Sequence, residues 1–304
     1  MKHPVTNVAA SVRQRLLNEA KRRGESFDYI ASLYARERFL ARLAVSPHRD
    51  RLILKGATVF ALWLDVHRPT RDLDFLGRGD FEPHAAALVI REIAGVTIEN
   101  DGLEFNVNSV TAKLVREPDE YHGVRVHLEA TLDTARIRLQ IDIGVGDIVT
   151  PPARSATLPS ILQDFARPKV KVYPPETIVS EKLHAMVKLG IANSRMKDFF
   201  DVYVLARGHD FEERLLAKAV TRTFERRKTA IPEEPFALTP EFYSDRGKQT
   251  QWRAFLTKSG VNAPEMFTEV GDLLRIFLSP VLSYARLGAA RERRWQGDAW
   301  RSAR

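Results

Sequence analysis

The sequence predicts an α+β fold in which a sheet-bearing amino-terminal half precedes an almost wholly helical carboxy-terminal half. Three observations predict it. Between Leu103 and Val149 apolar residues recur at every second position: Val124, Val126 and Leu128, then Ile137, Leu139, Ile141 and Ile143. That alternation marks half-buried strands, read here as antiparallel. From Pro174 onward the pattern is helical, with Pro175 suited to a helix start and Gly190 to a helix end. Finally, 304 residues with 44% hydrophobic and 28% charged content suffice for a packed core and for two modest domains or one domain with a large extension. The expected division is 1–160 and 161–304, with the change of pattern falling near 150–174.

In chain order, two amphipathic helices are expected at about Val5–Arg22 and Phe27–Leu43. Leu52–Lys55 is a short apolar run broken by Gly56, followed by a helical stretch over Thr58–Leu64. The loop His67–Arg71 leads into a strand carrying Asp72-Leu-Asp-Phe75, and a helix covers Glu82–Ala94. After the alternating strands and the helix from Pro175, helices are expected at Arg195–Arg207 and Phe211–Arg227. Pro232, Pro235 and Pro240 mark a linker, beyond which one or two helices and a basic tail complete the chain.

Composition removes several classes of function. No cysteine is present, which excludes disulfides, thiolate metal sites and a cysteine nucleophile. No apolar run approaches a membrane span, and the opening residues lack a signal-peptide segment, so a cytoplasmic location and no membrane partner are expected. The net charge of +8 and a pI near 9.7 favour a polyanionic partner, since lysine and arginine neutralise phosphates irrespective of base sequence.

The Asp72-Leu-Asp74 strand carries the first chemical signal. Alternation points Asp72 and Asp74 to one face, about 7 Å apart, and Leu73 and Phe75 to the other. Two carboxylates so placed can share a hard cation, and Mg²⁺ takes its remaining ligands from water and substrate phosphates. The alternative is a surface strand with two solvated aspartates. Gly56 lies upstream where a missing Cβ lets backbone approach phosphate. On the strand Arg136–Ile143 the polar face carries Arg138, Gln140 and Asp142. If that strand lies beside the first, Asp142 is a third carboxylate, for metal or for a proton from an attacking hydroxyl. Glu129 is a weaker candidate, and Asp147 reads as a turn residue.

A second signal is charge inside apolar helix faces. On the helix from Pro175, Lys182 falls between Leu189 and Met186, within an arc that also holds Ile178, Val179 and Leu183. A lysine there snorkels, pairs with a carboxylate or meets a bound anion. On the next helix Asp198 lies among Leu205 and Val202, with Asp201 nearer the polar edge beside Lys197. Asp198 either pairs with Lys182 as a structural bridge or positions a nucleophile or phosphate. Arg214, Lys218, Arg222 and Arg226 recur every four residues as a basic stripe suited to RNA, or else as a solvated face balanced by Glu212, Glu213 and Glu225. In the tail, Arg291, Arg293 and Arg294 near Trp295 and Trp300 suggest RNA contacts through charge and exposed indoles, the alternative being a frayed terminus.

Three stretches together resemble the AbiEii/AbiGii-type nucleotidyltransferase toxins of bacterial toxin–antitoxin systems, a group that includes the MenT-like toxins acting on tRNA. They are Leu54-Lys-Gly-Ala-Thr-Val-Phe-Ala-Leu62 with Arg68-Pro-Thr-Arg-Asp-Leu-Asp-Phe75, Ile141-Asp-Ile-Gly-Val-Gly-Asp147, and Tyr173–Met186 with Arg195-Met-Lys-Asp-Phe-Phe-Asp201. They span roughly 52–205, about half the chain. The resemblance implies a DNA-polymerase-β-like nucleotidyltransferase core with a mixed or antiparallel sheet. It implies Asp72 and Asp74 as ligands of Mg²⁺ (Mn²⁺ as the alternative ion), with Asp142 a candidate third. Lys182 and Asp198 match functional residues of the helical half, and Gly56, Thr58, Arg68, Thr70 and Lys182 match a nucleotide pocket. The related pattern often has Gly-Ser in its first motif, whereas Gly56 is followed here by Ala57, which leaves Thr58 to supply the hydroxyl.

By the same resemblance, the expected activity is transfer of nucleotides from NTP to the 3′ end of tRNA, which blocks aminoacylation and translation. The expected partners are the tRNA acceptor end and a cognate antitoxin. Two competing readings are a protein-hydroxyl or small-molecule acceptor on the same fold, and an RNA-binding module without catalysis.

Overall fold

The structure, a computed structural model, describes residues 7–63, 70, 72–116, 122–288 and 292–302. The chain divides into two compact units. The first comprises Met1–Leu62, Thr70–Gly146 and Arg154–Val172, and the second Trp63–Pro69, Asp147–Ala153 and Tyr173–Arg304.

In the first unit, α1 (Val8–Arg23) starts where the Asn7 side chain accepts the Ala10 N–H at 2.9 Å, and it stops at Gly24 in the left-handed region. Ser26 caps α2 (Phe27–Val45) in the same way. The chain then forms β1 (Leu52–Lys55), a 3₁₀ turn over Ala57–Val59, α3 (Phe60–Trp63), β2 (Asp72–Gly77) and α4 (Pro83–Ala94). Three long strands follow, β3 (Leu103–Arg116), β4 (His122–Leu132) and β5 (Ala135–Val145), then two short ones, β6 (Arg154–Thr157) and β7 (Lys169–Val172).

Among the described residues these strands make one seven-stranded sheet in the order β3-β4-β5-β2-β1-β7-β6. The β3-β4-β5 meander is antiparallel as expected, but β2 joins β5 in parallel and β7 joins β1 in parallel, so the sheet is mixed. The alternation in the sequence becomes two faces. Leu73, Phe75, Ile141, Ile143, Val124 and Val126 are all buried on one side, where α1, α2 and α4 pack. Phe75 alone, fully removed from water, contributes roughly 1.5–3 kcal/mol. The opposite side is polar, and it carries Asp72 and Asp74.

Two buried arginines of α2 are paired within this core. Arg42 donates to both Asp101 oxygens (2.8 and 3.3 Å) and to the Leu103 carbonyl. Arg38, fully buried, donates to Glu37 at 2.8 Å and to the Ala166 carbonyl at 2.7 Å.

In the second unit, α5 (Pro175–Leu189), α6 (Met196–Gly208), the short strand β8 (Phe211–Glu212), α7 (Glu213–Arg226), α8 (Pro240–Ser244), α9 (Arg246–Ser259) and α10 (Phe267–Leu287) precede β9 (Arg293–Trp295) and β10 (Trp300–Ser302). Phe199, Phe242, Tyr243, Trp252 and Phe267 form an aromatic core. Gly271 lets α10 approach it, since a Cβ there would lie 2.1 Å from the Tyr243 ring. No described helix is long and apolar enough to cross a membrane.

Two expectations are corrected here. The proline-marked stretch is not an open linker: it holds a 3₁₀ turn (Phe236–Leu238) and α8, with Leu238, Phe242 and Tyr243 buried. Nor is the tail a frayed or indole-exposing segment where it is described. Strands β10-β9-β8 form a second sheet, Trp295 is fully buried, and Trp300 stacks on Phe277. Arg293 is held by the buried Glu213 rather than presented to solvent. Arg291 lies outside the described residues.

The Trp295 indole N–H donates to the Ala206 carbonyl at 2.6 Å. Trp295→Phe strands that buried acceptor, and an expected loss of about 1–3 kcal/mol is measurable by urea unfolding. A change within error would show that the tail is peripheral to the second unit.

Candidate active site

The carboxylates owe their placement to strand register. Lys55 of β1 is the cross-strand partner of Asp74, and Asp74 is in turn the partner of Asp142 on β5. Asp72 stands opposite Gln140. Partners in register share a face, so Lys55, Asp74, Asp142 and, on β4, Arg125 form one row across four strands. Asp72 and Asp74 are half-buried.

Gly56 closes β1 at φ 71° and ψ −160°, and a Cβ there would meet Asp74 Oδ2 at 2.1 Å. The backbone therefore lies directly against this carboxylate, which only glycine permits. Gly56→Ala is expected to displace the Asp74 side chain and to cost about 1–3 kcal/mol through overpacking and the positive φ. Urea unfolding measures the cost, and an unchanged midpoint would contradict the close packing.

Two residues of this row were not singled out from the sequence. The Lys55 ammonium lies over Gly144 of β5, 3.4 Å from where a Cβ would stand. Because β2 separates β1 from β5, the lysine stem must cross β2 beside Asp74. Arg125 takes both oxygens of Asp142, Nε and Nη2 each donating at 2.8 Å, and Gln140 Nε2 donates to the same carboxylate at 3.1 Å. The hydrogen bond to Asp142 raises the Arg125 pKa; burial opposes this, and the charges of Asp142, Asp72 and Asp74 add to the rise. The guanidinium thus sits in the field of all three aspartates. Alternation in the sequence could have flagged Arg125, as it did Asp142, but the pairing of the two needs the β4–β5 register.

Asp142 does lie beside Asp74, as the sequence argument required, with its carboxylate engaged by arginine. Among the described residues no group of three or more His, Asp or Glu side chains is arranged to hold a metal ion. Glu129 is on β4 opposite Arg138, to which it is paired at 3.2 Å. Thr58 lies in the 3₁₀ turn after Gly56 and is half-buried, as is Thr70. Arg68 falls outside the described residues.

In the second unit, Lys182 of α5 donates to Asp198 Oδ1 at 2.8 Å and contacts Asp201 Oδ2 at 2.6 Å. Arg195 Nε lies 2.6 Å from Asp198 Oδ2. The lysine side chain is 15% exposed and both aspartates 1%. The bridge between Lys182 and Asp198 weighed from the helical pattern is therefore present. Asp201, expected nearer the polar edge, is instead buried because it shares the ammonium. Burial works against the charged lysine, but Asp198 and Asp201 outweigh it and its pKa is raised. Burial likewise works against the Asp198 carboxylate, yet Lys182 and Arg195 hold its pKa below the usual value.

Asp147, also in this unit, accepts from Arg227 at 2.9 Å, and the same guanidinium stands 3.2 Å from His184 Nδ1. Arg214, Lys218, Arg222 and Arg226 are all exposed on α7, opposite the buried Leu216, Val220 and Phe224.

A mixed sheet with two aspartates on its polar face, joined in one chain to a helical unit with an embedded lysine, is the architecture expected of a nucleotidyltransferase. The family model described as nucleotidyl transferase AbiEii toxin, type IV TA system, matches residues 38–275. The chain belongs to this family of nucleotidyltransferase toxins, whose setting is a toxin–antitoxin system. The comparison with curated proteins found no match. Among solved structures, the chain is similar to a candidate nucleotidyltransferase from H. pylori, at 12% identity over 87% of this chain and 99% of that one, with a TM-score of 0.45. It is also similar to JHP933 from Helicobacter pylori, at 14% identity over 84% and 93% of the two chains, with a TM-score of 0.45.

Proposed function

We propose that this toxin-family nucleotidyltransferase moves a nucleotidyl group from an NTP to the 3′ end of tRNA, so blocking aminoacylation and translation, and that a cognate antitoxin silences it. The observation that carries the reading is the Asp72–Asp74 pair on the polar sheet face, with the Gly56 backbone packed against Asp74.

The residues suit a divalent ion. Two half-buried carboxylates on one face, one of them packed directly against the Gly56 backbone, are the donor set that Mg²⁺ or Mn²⁺ takes together with an NTP. Asp72 and Asp74 would hold the ion. When bound, it offsets phosphate charge on the attacking and leaving sides of an in-line displacement.

In the reaction, the tRNA 3′ oxygen bonds to the α-phosphorus, the bond from that phosphorus to the α–β bridging oxygen breaks, pyrophosphate leaves and the hydroxyl proton passes to solvent. Gly56, the Thr58 hydroxyl and Thr70 would face phosphate, and the family resemblance also assigns Arg68 to nucleotide binding. In the second unit, Lys182 is the residue that the family resemblance assigns to phosphate, and Asp198 and Asp201 keep the positive charge on it by raising its pKa. Arg214, Lys218, Arg222 and Arg226 offer an exposed cationic stripe for an RNA backbone and favour a polyanionic acceptor over a protein hydroxyl or a small molecule.

The test is to incubate the protein with total tRNA, Mg²⁺ and each α-labelled NTP in turn, beside the Asp72→Ala/Asp74→Ala variant. Label entering RNA only with the intact aspartates supports the reading and identifies the nucleotide. Label entering protein or an aminoglycoside instead would replace tRNA as the acceptor.

A further inference from the structure

Asp142 is the carboxylate closest in register to Asp74, yet it is occupied from the far side. Strand order places Arg125 on β4, across Asp142 from Asp74. The guanidinium fork meets both Asp142 oxygens at 2.8 Å, and Gln140 supplies a third hydrogen bond. A carboxylate whose two oxygens are filled by a fork has little lone-pair capacity left for a cation, and the positive charge beside it repels one. The pair is nonetheless within reach of solvent, since the Arg125 side chain is 34% exposed and that of Asp142 27%. An exposed fork that fits a carboxylate fits a phosphate equally well, and a triphosphate brings more charge than one aspartate.

We propose that Arg125 is a nucleotide-released latch on Asp142. In the free protein it holds Asp142 away from the cation site of Asp72 and Asp74. An arriving triphosphate takes the guanidinium and frees Asp142 as an additional carboxylate for the ion. Arg125 is then a positioning residue acting through Asp142, and nucleotide and metal binding are coupled reciprocally. This rests on the nucleotidyltransferase reading of the Asp72–Asp74 pair. It differs from a fixed three-carboxylate site, in which Asp142 serves the metal from the start.

The test titrates Mn²⁺ alone into the full chain by calorimetry, with no turnover required. Arg125→Gln is expected to tighten Mn²⁺ binding about tenfold: outer-shell changes alter affinity by this order, and here the sign is reversed because the residue removed competes with the ion instead of orienting its ligand. That gain should vanish in Arg125→Gln/Asp142→Asn. Asp142→Asn alone should weaken Mn²⁺ binding only slightly in the free protein, through the unmasked Arg125 charge, and about tenfold when a non-hydrolysable NTP is present. Thermal unfolding confirms that each variant is folded, and if Arg125→Gln is not, the Asp142→Asn pair of titrations decides by itself.

The latch is overturned if Arg125→Gln leaves Mn²⁺ affinity unchanged or weaker, or if Asp142→Asn weakens it as much without nucleotide as with it. If Asp72→Ala/Asp74→Ala binds Mn²⁺ as the unsubstituted chain does, the active-site reading itself fails and takes the latch with it.

Discussion

The Asp72→Ala/Asp74→Ala protein is expected to transfer nucleotides at least about 10³-fold more slowly while remaining as stable, within about 1 kcal/mol, as the unsubstituted chain. The two halves of this expectation have different origins. Loss of transfer follows from removing the donors proposed to hold the ion that offsets phosphate charge, an electrostatic contribution that no neighbouring group replaces. Retained stability follows from position. Both side chains are half-buried on the polar face, opposite the Leu73, Phe75 and Ile141 packing that holds the sheet together. Asp72, Asp74 and Asp142 also stand near one another in register, so the repulsion relieved by removing two of them offsets the attraction that Arg125 and Lys55 lose. Single-turnover transfer and urea unfolding on the same samples separate the two effects. A collapse of the unfolding midpoint would assign the aspartates to the fold rather than to the chemistry.

Asp198→Ala is expected to act the other way, destabilising by about 3 kcal/mol, the low end for a broken buried pair, because Asp201 still compensates Lys182 and the lost partner Arg195 is half exposed. The pH dependence has a definite sign. The Asp198 pKa is held below its ordinary value, so its contribution is present above that ordinary value and is lost as pH falls through the lowered one. The Lys182 pKa is raised, so its contribution is present below the ordinary lysine value and is lost only as pH rises through the raised one. Between the carboxylate and lysine ranges the difference between Asp198→Ala and the unsubstituted chain should therefore be flat. It should shrink in acid. A difference that grew on acidification would mean that Asp198 is not the charged partner of Lys182.

Much of the fold was legible. The β5 alternation maps residue for residue onto its burial, with Ile137, Leu139, Ile141 and Ile143 inside and Arg138, Gln140 and Asp142 toward the polar face. The helices from Pro175 and near Arg195 began within a residue or so of their expected starts, since proline and the turn after Gly190 act locally. Other elements were not legible. β6 and β7 are four residues each, too short for a period to register, and Lys169-Val-Lys-Val172 is a strand because β1 offers it a parallel edge. Phe211–Glu212 was expected within a helix but pairs with β9, a partner some eighty positions later in the chain.

The candidate site divides in the same way. The sequence by itself determined which residues could do chemistry: the carboxylates Asp72, Asp74 and Asp142 on one strand parity, the embedded Lys182 with Asp198, and the glycine at 56. Each of these follows from spacing along a single strand or helix, which a local period reveals. Only the tertiary structure decided their partners. It laid Lys55 across β2, closed Arg125 on Asp142, drew Asp201 inward to Lys182 and buried Trp295 in a second sheet. Those outcomes depend on strand order and register between distant segments, where a shift of one residue would turn every side chain to the opposite face.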